Sequence, residues 1–210
     1  MLAIVDYGLG NLRNVAMAFR RLGLAPQVSD DPSVLARAQA LVLPGVGAFG
    51  DAMQGLAQLG LVSVLQDAVA AGRPMLGICL GMQLLFESSD ELGSYRGLGI
   101  LPGTVRRFAP PLIVPHMGWN QVSPTRSDPL FTGIEGLGYA YFVHSYHVVP
   151  ADDDVVIART TYGEPFPSIV RRGRLYGIQF HPEKSQDMGA LLLKNWLALA
   201  GMGTESEAAR

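Results

Sequence analysis

Cysteine is nearly missing from this chain of 210 residues: Cys79 stands alone, so no disulfide can close within it. Basic side chains are not in excess either, with 16 Lys and Arg against 18 Asp and Glu and a formal charge of −2. Nucleic acid and anionic membrane surfaces both select for a clustered positive surplus. Neither is expected as a partner, which leaves a small molecule or another protein. No uncharged apolar run reaches the roughly 18 residues of a membrane-spanning helix. The opening Met-Leu-Ala-Ile-Val-Asp has no basic stretch ahead of an apolar one, and a cytoplasmic location is expected.

What the chain does have is alternation. Leu2 to Val5, Pro26 to Ser29, Ala40 to Leu43 and Met75 to Ile78 are short apolar runs of the buried-strand kind. Helical patterns separate them: residues 12 to 22, a short helix capped by Asp31-Pro32, and a long apolar helix ending near Gly72. Residues 80 to 87 have the Leu, Met and Gln content of a further helix. Near-continuous apolar strands alternating with helices predict an α/β fold, with a doubly wound, mostly parallel sheet covered by helices on both faces. After Leu98 the chain turns to short runs rich in Val, Ile, Tyr and Phe, broken by Pro and Gly. These predict additional antiparallel strands in the second half, before a last helix near Met188 to Leu199. One domain over residues 1–200 is expected, with 201–210 as a disordered polar tail.

Gly45-Val-Gly47-Ala-Phe-Gly50 matches the dinucleotide-binding pattern G-x-G-x-x-G between a strand and a helix. It lies after the third strand, not the first, and the next strand ends at Cys79 where an acidic residue would be needed. Gly8-Leu-Gly10-Asn fails sooner, with Arg13 at the third glycine position. No cofactor is expected.

Leu76-Gly-Ile-Cys-Leu-Gly81 offers a better use for glycine. A sharp strand-to-helix turn with glycine two residues to either side of Cys79 has the form of a nucleophile elbow, where a Cβ on either side would meet backbone. Burial as a small hydrophobe is the alternative for any lone cysteine, and the paired glycines between strand and helix favour the nucleophile. The orphan N–H groups of a following helix would favour the thiolate. Attack on a carbonyl also calls for two oxyanion donors: the backbone N–H of Leu80 is one, and that of Val46, at the glycine-rich end of the third strand, is the candidate for the other.

His181 and Glu183, in Phe180-His-Pro-Glu183, are two apart on a segment that Pro182 keeps extended, so both would project to one side. The carboxylate would hold the imidazole tautomer and stabilise the imidazolium. A strand-end histidine beside a surface glutamate is the plainer alternative for this segment alone. His116, His144 and His147 are the remaining histidines; 144 and 147 have odd spacing on a strand-like run and would face opposite sides, so no metal site is expected.

Cys79, His181 and Glu183 in this order, with Gly77-Ile-Cys-Leu-Gly-Met-Gln83 at the elbow, resemble the class I glutamine amidotransferases, the Cys-His-Glu glutaminases. The segments Asp6 to Leu12, Leu43 to Phe49, Pro115 to Asn120, Tyr141 to Tyr146 and Gln179 to Ser185 extend the likeness over residues 1–200. They are similar to the branch that forms heterodimers with a (β/α)8-barrel cyclase subunit in histidine biosynthesis. The resemblance implies glutamine as substrate, a thioester on Cys79, and ammonia delivered to the partner. It implies glutamine binding by Gln83 and Glu91 with backbone of Gly47, Ser145 and Tyr146, and places Gly10 and Asn11 at the mouth of the site near the partner. Trp119, Asn120, Tyr141 and Lys184 would fall at the cyclase interface. Gln83 lies four residues after Cys79 on one helical face; an ordinary polar helix position is its alternative, and plain burial is that of Trp119 and Tyr141. The family also implies silence without the partner, for which the Gly45–Val46 peptide is the expected switch. The glutaminase of pyridoxal phosphate synthase, an elbow-cysteine peptidase or chaperone-like protein, and a binding protein with a dead site are the rival expectations.

Overall fold

In the computed structural model, which describes residues 1–134 and 138–203, three of the four apolar runs become strands buried on both faces, and the run ending at Ser29 becomes a largely exposed edge strand. The first half runs β1 (Leu2–Val5), α1 (Leu12–Arg21), β2 (Gln27–Ser29), α2 (Pro32–Ala36), β3 (Ala40–Gly45), α3 (Phe49–Gln58), α4 (Leu61–Ala70), β4 (Met75–Cys79) and the single turn α5 (Leu80–Gln83). The second half runs β5 (Phe86–Ser89), β6 (Tyr95–Arg96), β7 (Leu101–Arg107), β8 (His116–Pro124), β9 (Gly138–His144), β10 (Tyr146–Pro150), β11 (Val156–Tyr162), β12 (Glu164–Arg172), β13 (Leu175–Ile178) and α6 (Gln186–Leu199).

Nine strands form one sheet in the order β2-β1-β3-β4-β13-β12-β11-β8-β9. Pairings from β2 to β13 are parallel and those from β13 to β9 antiparallel, as the change of pattern after Leu98 predicts. Strand pleating sends alternate residues to opposite faces. Leu2 and Ile4 therefore join the core under α1 and α6, while Ala3 and Val5 join the core under α2, α3 and α4. Phe19 of α1 meets Trp196 of α6 with ring centroids 6.0 Å apart, and burying side chains of this size stabilises by about 2 kcal/mol each. Among the described residues, no helix is long and apolar enough to cross a membrane.

Two helical expectations change. The long helix ending near Gly72 is broken at Gly60, whose φ of 67° is left-handed and ends α3 before α4 begins. The helix expected over 80–87 stops after one turn, because Phe86–Ser89 pairs with β7 and β6 in a second, four-stranded sheet ordered β10-β7-β5-β6. Helix propensity is worth only tenths of a kcal/mol per residue, less than a buried Phe86 and a strand ladder. The last helix begins at Gln186, two residues before the expected start. Of the expected tail, 204–210 lie outside the described residues.

The register decides where chemistry can occur. Gly45 pairs with Cys79, and Ile78 with Ile178, so three chain segments end side by side at the carboxyl edge of the parallel strands. Open α/β sheets bind ligands at that edge.

Candidate active site

Cys79 closes β4 with φ 55° and ψ −113°, a conformation that costs a non-glycine residue about 1–3 kcal/mol and that surrounding structure must impose. The glycines do the imposing. A Cβ on Gly77 would stand 2.7 Å from the Gly81 carbonyl oxygen, and one on Gly81 only 1.8 Å from that of Leu43 in β3. Gly81→Ala should therefore force α5 away from β3, a loss of roughly 3 kcal/mol and a melting temperature lower by about 6–12 °C. Calorimetry showing an unchanged transition would mean that the elbow is not packed against β3 in this way. Gly45 is glycine for the same reason of space: a Cβ there would lie 2.5 Å from the Tyr7 hydroxyl.

His181 reaches the elbow from β13. Its N–H donates to the Tyr141 carbonyl at 3.0 Å, and its own carbonyl accepts from the Ser185 hydroxyl at 2.7 Å. Ser185 Oγ in turn accepts from the Tyr141 N–H at 3.0 Å, so the Tyr141 backbone of β9 grips the histidine segment both directly and through the Ser185 hydroxyl. Nδ1 of His181 lies 2.8 Å from Glu183 Oε1, and both side chains are buried. The expected geometry of this pair is corrected: Pro182–Lys184 is a 3₁₀ turn, and the turn, not an extended segment, brings the carboxylate back to the ring. Burial disfavours charge on His181, but the Cys79 sulfur and the Glu183 carboxylate outweigh it and raise the imidazole to about 10. Nε2 is buried with no hydrogen-bond partner in the described residues, left for the sulfur or a ligand. Because α5 is a single turn, its dipole is small.

A cavity of about 360 Å³, within the range of small-molecule sites, opens over the sulfur. Val46, Gly47, Leu80, Gln83, Glu91, Ser145 and Tyr146 line it with Cys79 and His181, which brings together every expected catalytic, oxyanion and glutamine-binding position except Glu183, behind the histidine. Gln83 donates both amide hydrogens, to the Tyr146 carbonyl at 2.9 Å and to Gln179 Oε1 at 3.1 Å, so only its carbonyl can address a ligand. Glu91 folds back from its loop to accept from the Phe49 N–H at 2.7 Å, at the first turn of α3, and partial burial raises its carboxyl above the usual range.

Sequence reasoning missed four members of the site. Tyr7 donates to the Pro44 carbonyl at 2.8 Å beneath the glycine-rich strand end. Gln179 bridges Gln83 and Cys79, its Nε2 3.9 Å from the sulfur. Pro115 and His144 complete the wall. His144 and His147 do not face away from each other as expected. The chain switches from β9 to β10 at Ser145, and both rings pack on Phe108, with centroids 5.3 and 4.7 Å away.

The expected contact residues are partly exposed. Gly10 lies with its Cα substituent position 3.8 Å from the Gly45 nitrogen, and Asn11 caps α1 by accepting from the Asn14 N–H. Trp119 pairs across the ladder with Tyr141, their rings 6.2 Å apart, and Lys184 Nζ sits 5.5 Å from the Tyr141 ring centre. Trp119 is 47% exposed and, with Met117 and Tyr139, leaves apolar surface in the open. Asn120 turns inward instead, to Thr161 and His116.

A cysteine elbow, a histidine–carboxylate pair and a glycine-rich strand end on one sheet edge define a thiol-dependent acyl-transfer enzyme, and residues 3–199 match the family model "Glutamine amidotransferase class-I"; the chain belongs to that family. Among curated proteins it is 51% identical over 195 residues to "Imidazole glycerol phosphate synthase subunit HisH" of Moorella thermoacetica, covering 93% of each chain. The protein of the same name from Salinibacter ruber is 48% identical over 217 residues, covering 100% of this chain and 98% of that one. Among solved structures, one titled "Crystal structure of glutamine amidotransferase" superposes with a TM-score of 0.76 at 23% identity, over 95% of this chain and 98% of the other, a likeness of fold.

Proposed function

We propose that residues 1–200 form the glutaminase subunit of an imidazole glycerol phosphate synthase. The observation that carries this reading is the convergence of Cys79 and the His181–Glu183 pair on one cavity, in a chain half identical to proteins of that name. The Cys79 thiolate attacks the side-chain carbonyl of glutamine, and N–H groups of Leu80 and Val46 receive the oxyanion. The tetrahedral intermediate expels the amide nitrogen, which takes a proton from His181 Nε2 and leaves as ammonia. The γ-glutamyl thioester remains on Cys79. His181, now neutral, removes a proton from water as that water attacks the thioester, and glutamate departs with the thiolate restored. Glu183 holds the ring through Nδ1 in both halves. Gln83, Glu91, and backbone of Gly47, Ser145 and Tyr146 hold the glutamine.

The ammonia passes to a (β/α)8-barrel cyclase subunit, which uses it to convert the ribotide PRFAR to imidazole glycerol phosphate and AICAR. Gly10, Asn11, Trp119, Asn120, Tyr141 and Lys184 form or border that contact. The His116-Met-Gly-Trp-Asn120 segment and the half identity to proteins named as imidazole glycerol phosphate synthase subunits favour this over a glutaminase of the pyridoxal phosphate synthase type. At rest the Val46 N–H points away from the sulfur, and docking of the charged cyclase turns the Gly45–Val46 peptide inward.

Two measurements test the reading. An electrophilic glutamine analogue bearing a diazoketone should alkylate Cys79 alone with loss of dinitrogen, adding the mass of the analogue less N2, and glutamine should protect. Glutamine turnover by the isolated chain should rise at least 100-fold with the cyclase and its ribotide. Absence of labelling would overturn the glutaminase assignment, and full activity of the isolated chain would overturn the peptide switch.

A further inference from the structure

Three polar side chains outside the reacting groups, the half-buried Asn120 and the buried His116 and His144, are joined end to end. Asn120 Nδ2 lies 3.1 Å from His116 Nε2, His116 Nδ1 lies 3.2 Å from His144 Nε2, and His144 Nδ1 lies 2.8 Å from the Tyr146 carbonyl. Backbone groups determine the direction of hydrogen bonding from both ends. Asn120 Oδ1 accepts from the Gln121 N–H at 2.8 Å and its Nδ2 donates to the Thr161 carbonyl at 2.9 Å, which settles the amide orientation and leaves one N–H for His116 Nε2. His116 is then the acceptor at Nε2 and the donor at Nδ1. From the other end, the Tyr146 carbonyl can only accept, so His144 carries its proton on Nδ1 and accepts at Nε2. The two deductions meet in the middle without conflict, and they require both rings to be the Nδ1–H tautomer.

Burial keeps the rings neutral, lowering His116 to about 4 and His144 to about 3. Stacking keeps them still: His116 lies 4.2 Å from the Tyr162 ring and 5.0 Å from that of Phe142. The far end reaches the cavity, because the Tyr146 carbonyl accepts from both His144 and Gln83, and His144 lines the wall. The near end is on β8, where Asn120 faces inward beside the outward Trp119.

We propose that Asn120, His116 and His144 form a one-way hydrogen-bond wire that positions the Tyr146 carbonyl, and through it Gln83, for glutamine binding, and that ties this pocket to the strand presenting Trp119. The inference rests on the glutaminase reading above for the identity of the ligand. The three act as positioning residues, since none touches the sulfur. A wire of this kind makes glutamine affinity depend on a side chain two hydrogen bonds away from the cavity.

Imidazole ¹⁵N NMR of the full chain at neutral pH tests the wire directly, with His116→Asn and His144→Asn used to assign signals. Both rings should show a protonated Nδ1 and a bare Nε2; an Nε2–H tautomer at either would overturn the proposal. In the complex with the cyclase, His116→Phe should raise the glutamine KM roughly 3- to 10-fold, the worth of one neutral hydrogen bond, with kcat within twofold. His144→Leu should raise it at least as much, and His144→Asn, which keeps a donor near Nδ1, should recover half or more of that loss. An unchanged KM in His116→Phe, or a loss confined to kcat, would overturn the coupling. Ammonia-dependent synthesis by the same complexes reports that they are assembled, and the tautomers decide the wire if His116→Phe does not fold. A wild-type complex without glutaminase activity would refute the functional reading while leaving the tautomer result to stand by itself.

Discussion

Cys79→Ala is expected to remove glutamine-dependent synthesis by the complex, by 10⁴-fold or more, while ammonia-dependent synthesis stays within twofold of wild type. The size follows from the chemistry: without the sulfur no thioester forms, and the oxyanion donors and His181 have no nucleophile to serve. Retained ammonia use follows from the division of labour, because the alanine chain still docks and the partner's own reaction is untouched. The small volume change should leave the fold intact. A partner assay with glutamine and with ammonium chloride, run side by side, makes the distinction. Glutamine-dependent product above the 10⁻⁴ level would refute Cys79 as nucleophile.

Glu183→Gln should lower kcat for glutamine hydrolysis roughly 10²- to 10⁴-fold with little change in KM. The amide fits the same space, so the effect is one of charge. At present burial opposes the imidazolium, and Cys79 together with Glu183 overcomes that opposition. Removing the carboxylate lowers the histidine's proton affinity and deprives both thiolate and leaving group of their partner. Stability should not fall in parallel. Glu183 Oε2 is buried without a hydrogen-bond partner among the described residues, and a neutral amide there relieves part of the desolvation cost. A melting temperature within about 2 °C of wild type beside a large kcat loss is the expected pair of results; equal KM and kcat losses, or an unchanged rate, would remove Glu183 from the mechanism.

Much of the site was legible along the chain, and the reason is local. The glycines around Cys79 announce a close backbone approach whatever they approach, and the structure supplies Leu43 and Gly81 as the neighbours. The Phe-His-Pro-Glu segment carries its own pairing, since residues two apart are within reach in an extended strand or a tight turn. The actual turn differed from the expected extension, yet the 2.8 Å contact is the same. Glu91 was named through family likeness alone. Its partner, the first N–H of α3, is 42 residues away, and no spacing rule reaches that far.

The sequence by itself determined the class of fold, the glycine-flanked strand-to-helix turn at Cys79 and the pairing of His181 with Glu183, because periodicity and short-range spacing are properties of neighbouring residues. Tertiary structure alone decided that α5 stops after one turn, that Gln83 donates to Tyr146 and Gln179, and that three histidines gather on Phe108. Each of these depends on which strands lie side by side, and strand order brings together residues 28 to 96 positions apart whose affinity for one another leaves no mark on the stretch of chain around either.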